Sequence, residues 1–94
     1  MEGFSKFLPC DDFVTEIVTR FETVFKISSG RSFSDFKPTT YAQRNEEGNT
    51  HYIFNLELGD GIKGEFAFLF NSETDEFVRL MKTSIEGDLG EMDT

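Results

Sequence analysis

The chain reads as an α+β domain, with one long N-terminal helix followed by consecutive antiparallel strands. Apolar residues first recur at helical spacing, between Phe13 and Phe25. From Thr50 onward the pattern changes to alternation, the signature of strands with one covered face. Turn-forming clusters separate the alternating runs.

Met1 to Cys10 reads as an extended arm, because Pro9 disfavours helix at Leu8. Asp11 and Asp12 form a helix start: short carboxylates cap free amides and suit the positive end of the dipole. Phe13, Val14, Ile17, Val18, Phe21, Val24 and Phe25 share one helical face, and Thr15, Glu16, Thr19, Arg20 and Glu22 fall mostly opposite. Ser28-Ser29-Gly30 is the stop signal.

Phe36 to Gln43 reads as a first strand, in which Pro38 argues for an edge position or a bulge. Gln43 to Gly48 reads as a polar reversal. In the strand Thr50 to Leu58, Tyr52, Phe54, Leu56 and Leu58 point one way. His51, Asn55 and Glu57 point the other, with Ile53 an apolar exception. Gly59-Asp60-Gly61 is a tight turn. Glu65 to Phe70 alternates again, and Asn71 to Glu76 is a polar connection. Phe77 to Ile85 is the last strand; its inward set is either Phe77, Arg79 and Met81 or Val78 and Leu80. From Glu86 to Thr94 the chain reads as a solvated acidic tail. The far side of the sheet is expected to face solvent.

At 94 residues the chain reads as a single domain spanning 1–94, with room for one core layer that its 12 phenylalanines should dominate. A formal charge of −9 repels phosphate backbones and anionic lipid, which argues against nucleic-acid and membrane partners. Cys10 is the lone thiol and no long apolar run or signal-like N-terminus is present, so a cytoplasmic protein is expected. Cys10 and His51 are the available nucleophile and base, but Asp11 and Asp12 discourage a thiolate and no motif surrounds either residue. The expectation is a half-buried thiol and a strand-surface histidine. One His and one Cys build no zinc site, and the Asp-Gly pieces lack the acidic ladder of a calcium loop, so neither metal nor cofactor is expected. The paired acids Asp11-Asp12, Glu46-Glu47 and Asp75-Glu76 fall at element ends, where charges stay solvated; no catalytic residue is assigned. Phe54, Phe66, Phe68 and Phe70 read as core rather than as a pocket lining.

The run Thr39 to Asp60, following the helix pattern, resembles the first inhibitory hairpin of the cystatins, and the short intracellular stefins in particular. Gln43 and Gly48 match the ends of the family's first-loop motif, and Tyr52 to Asp60 resembles the aromatic strand and Gly-Asp turn that follow. The likeness covers Asp12 to Leu80. It implies a curved antiparallel sheet of four to five strands wrapped around one long helix. It also implies reversible occlusion of a papain-like cysteine protease of the cathepsin type. Site residues carried over are Gly3 in the arm; Gln43, Arg44, Asn45, Glu46, Glu47 and Gly48 in the first hairpin; and Ser72, Glu73, Thr74 and Asp75 in the second. The middle of the first loop, Arg44 to Glu47, is polar and one residue longer than the family's, and the second lacks the family's proline. A charged tip must meet a matching partner, because an unpaired charge is costly to desolvate. The alternative is a non-inhibitory cystatin-fold module whose acidic loop binds a basic protein surface. A monomer or a domain-swapped dimer is compatible with either.

Overall fold

A computed structural model describes residues 3–86; the expected tail beyond Glu86 lies outside the described residues. The order is β1 (Leu8–Pro9), α1 (Asp12–Arg20), α2 (Glu22–Ser29), β2 (Lys37–Glu46), β3 (Asn49–Glu57), β4 (Lys63–Asn71) and β5 (Glu76–Glu86). The strands form one five-stranded sheet in the order β1-β2-β3-β4-β5, and every pairing is antiparallel. Glu86 therefore belongs to the last strand rather than to the tail. Among the described residues, no helix is long and apolar enough to cross a membrane.

The helical region starts and stops at the expected signals. Asp11 accepts a hydrogen bond from the Val14 amide at 3.0 Å, and Gly30 ends α2 in the left-handed conformation. It is two helices, however, not one. They meet at Phe21, whose backbone (φ −108°, ψ 20°) leaves the helical range. The Phe21 amide donates to the Val18 carbonyl at 3.0 Å, a tighter link than the i−4 bond of an α-helix. No Gly or Pro lies at this point. The break coincides instead with docking of the Phe21 ring, edge-on to Phe68 at 5.5 Å and to Phe77 at 5.0 Å.

The helices cross one face of the sheet. Val14, Ile17, Val18 and Phe25 bury against Tyr52, Phe54, Leu56, Phe66 and Phe68, and Ser28 Oγ lies 2.8 Å from Thr83 Oγ1 on β5. Burying a large apolar side chain is worth roughly 1.5–3 kcal/mol, and this aromatic layer is the main stabilising feature. The phenylalanines expected in the core are there: Phe54, Phe66 and Phe68 are fully buried and Phe70 nearly so.

Two strand features differ from simple alternation. The register shifts between Pro38 and Thr40, as a bulge at the proline requires. On β5 it shifts twice, opposite Ala67/Phe68 and opposite Leu69/Phe70. These irregularities put Phe77, Leu80 and Ile85 against the core, a set with no constant parity, so neither expected set is correct.

The far face is not simply solvated. Ala42, Ile53, Ala67, Leu69 and His51 are all buried, at 9% exposure or less, although their neighbours along each strand face the helices. Longer side chains lie around them, such as Lys82, which reaches Glu65 at 2.7 Å.

Candidate functional site

In a run of adjacent antiparallel strands, successive turns alternate between the two ends of the sheet. The β2–β3 and β4–β5 turns therefore share one end, while Gly59-Asp60-Gly61 lies at the other. The arm reaches the first of these ends. Ser5 donates its amide to the Gln43 carbonyl at 2.9 Å, and the Gln43 amide donates to Ser5 Oγ at 3.1 Å. The three expected contact segments thus share one end of the sheet.

The first hairpin is tighter than expected. The ladder continues through Glu46↔Asn49, leaving only Glu47 and Gly48 as the turn. Both have positive φ, 49° and 87°, as a type I′ hairpin turn requires. Glycine takes this conformation freely, whereas glutamate does so under strain. The expected reversal over Gln43 to Gly48 is corrected accordingly: Gln43, Arg44, Asn45 and Glu46 are strand residues, and Glu47 alone carries a side chain at the tip. Their polar side chains do not prevent backbone pairing.

Arg44 and Glu46 share the far face with His51, the cross-strand partner of Arg44. Arg44 Nε donates to Glu46 Oε2 at 3.0 Å, and His51 Nδ1 lies 3.4 Å from the same oxygen. Arg44 and His51 hold the Glu46 carboxyl below its ordinary range. Phe4 sits over this group, with its ring edge-on to His51 at 4.9 Å and under the Arg44 guanidinium at 4.6 Å. Gly3 precedes it with φ +83°, and a Cβ there would come 2.8 Å from Arg44 Cδ. The protein's own packing accounts for this glycine.

The second turn comprises Ser72 to Asp75. Asn71 Oδ1 accepts from the amides of Glu73 at 2.9 Å and Thr74 at 3.1 Å, which closes the loop. Asp75 takes positive φ (62°) and accepts from Arg20 at 2.8 and 3.2 Å. That pair ties the loop to the end of α1, so Asp75 acts as a strut while Ser72, Glu73 and Thr74 face solvent.

Between the turns lies an open depression lined by Arg44, Asn45, Glu46, Glu47, Asn49, Leu69 and Arg79. Arg44, His51, Leu69 and Arg79 form one cross-strand row beneath it.

Cys10 and His51 do not meet as nucleophile and base. Cys10 packs against the helix-side core, whereas His51 faces the other side of the sheet. Burial, and then Asp11, push the Cys10 thiol up to about 11. The thiol is half-buried as expected, but His51 is a buried seat for Phe4 rather than a surface residue. Among the described residues, no group of three or more His, Cys, Asp or Glu is placed to hold a metal.

Sequence reasoning missed Phe4 and Ser5 and placed His51 on the strand surface. An aromatic residue beside Gly3, in an otherwise extended arm, was the available signal. No model of a known protein family matches the chain, and no curated protein matches it.

Proposed function

We propose that this chain is a reversible, occluding inhibitor of papain-like cysteine proteases of the cathepsin type. The observation that carries the reading is the convergence of the arm, the Glu47-Gly48 turn and the Ser72–Asp75 turn on one end of the sheet. Occlusion needs no catalytic group. It needs a preorganised surface, and both turns are closed by their own hydrogen bonds and ladders. The resemblance to stefins points the same way. A cytoplasmic setting fits the lone thiol.

The chemistry of the edge narrows the target. Glu47, Glu73 and Glu76 are exposed on it, so the complementary cleft has a basic rim. The same acidity favours a second reading, a non-inhibitory module that binds a basic protein surface.

Inhibition assays against papain and several cathepsins test the proposal. Saturable, reversible inhibition is expected. No inhibition at high micromolar protein across all of them rejects it, and salt-sensitive binding to non-protease basic proteins would then support the second reading.

A further inference from the structure

We propose that residues 3–9 are a strap fastened to the first hairpin by Phe4, which makes Phe4 the positioning residue of the binding edge. Among the described residues the arm has few anchors. Phe7 and Leu8 are exposed, at 39% and 43%, and β1 contributes only the pairs Leu8↔Tyr41 and Pro9↔Thr40. Beyond Leu8 the backbone is held at Ser5, by its reciprocal bonds with Gln43. Phe4 is the next anchor and the last aromatic one, held between Arg44 and His51.

The seat belongs to the hairpin itself. Arg44 and Glu46 lie on β2 immediately before the Glu47-Gly48 turn, and His51 lies on β3 just after it. Glu46 binds both Arg44 and His51. The ring therefore rests on a group that spans both strands of the hairpin. Gly3 fits the same arrangement, because any side chain there would push against the Arg44 stem. Removing the ring leaves the two bonds between Ser5 and Gln43 without their neighbouring anchor, and Gly3 to Lys6 swings away from the edge. The helix-side core does not include Phe4, so the fold persists when the strap opens.

The test compares Phe4→Ala and Phe4→Tyr in the full chain. Hydrogen exchange at the Ser5 amide and tryptic cleavage after Lys6 report the strap; a urea midpoint reports the fold. An aromatic pair and a cation over a ring, each modest at a partly exposed site, together set a rise of roughly tenfold in Ser5 exchange and Lys6 cleavage for Phe4→Ala. The midpoint should fall by no more than the same factor, and Ser5 should stay far less protected than the amides of the buried Phe54 and Phe68. Phe4→Tyr keeps the ring and should remain within about twofold of the parent. Unchanged exchange in Phe4→Ala overturns the proposal, and so does Ser5 exchange that only matches those core amides, since the whole fold and not the strap is then opening.

The role of the strap at the binding edge rests on the occlusion reading. On that reading, Phe4→Ala weakens inhibition of a papain-like protease and Phe4→Tyr restores it. If the parent protein inhibits nothing, the occlusion reading fails, yet Ser5 exchange still decides whether the strap exists.

Discussion

Replacing Glu47 separates the shape of the first tip from its charge. Glu47 holds φ 49° beside Gly48 at 87°. The left-handed conformation costs a side-chain-bearing residue roughly 1–2 kcal/mol, and asparagine avoids part of that cost. Asn-Gly is also the preferred pair for a type I′ turn. Glu47→Asn should therefore stabilise the protein by about 0.5–1 kcal/mol, or a Tm rise of about 2–8 °C for a domain of this size. Glu47→Val, β-branched and poorly suited to positive φ, should lower Tm by a similar amount. Calorimetry on the parent and both variants measures this. A stabilising valine, or an asparagine without effect, would refute a two-residue turn at Glu47-Gly48. The asparagine variant also tests the charge of the tip: association with a basic rim or a basic surface should weaken, most visibly at low salt.

A Cβ on Gly64 would lie 2.9 Å from Leu58 Cδ1 and 3.0 Å from Phe25 Cζ, both in the buried core. Gly64→Ala should cost about 1–3 kcal/mol by overpacking, read as a lower urea midpoint; a neutral result contradicts the packing under Phe25. With its thiol pushed up to about 11, Cys10 should be alkylated at pH 8 roughly tenfold more slowly than an unperturbed cysteine, because the loss of thiolate outweighs its higher nucleophilicity. Asp11→Asn should speed the reaction, and rapid labelling of the folded parent would contradict the burial. Glu46 has a depressed folded-state pKa, so its contribution is present above the unfolded value and is lost as pH falls through the folded one. Ser5 exchange, corrected for the intrinsic pH dependence, should rise as pH drops below the ordinary carboxylate range, and Glu46→Gln should remove that dependence.

Much of the fold was legible because local chemistry and tertiary packing agreed. Asp11 and Gly30 bound the helical region as their chemistry requires, and the alternation of Tyr52, Phe54, Leu56 and Leu58 gives the inward face of β3. The break at Phe21 was hidden, since it depends on a ring finding Phe68 and Phe77 rather than on a breaker residue. Polar composition disguised Gln43 to Glu46 as a loop, although solvent-facing strand residues need not be apolar. The inward set of β5 could not be deduced by parity, because register shifts change the phase of the strand. Of the candidate site, the second turn was located correctly and the first was drawn too wide. Gly3 lies at the same end of the sheet as the two turns, but its seat depends on Arg44, far along the chain, and no local pattern announces such a contact.

The central claim is that one end of the sheet is the binding surface. Amide-resonance mapping during titration with an inactivated papain-like protease tests it most directly. The account predicts perturbations at residues 3–5, 44–50 and 71–76, with Gly59 to Ile62 silent. Perturbations centred on Gly59 to Ile62 and the Phe33–Lys37 link, or none at saturating protease, would contradict it.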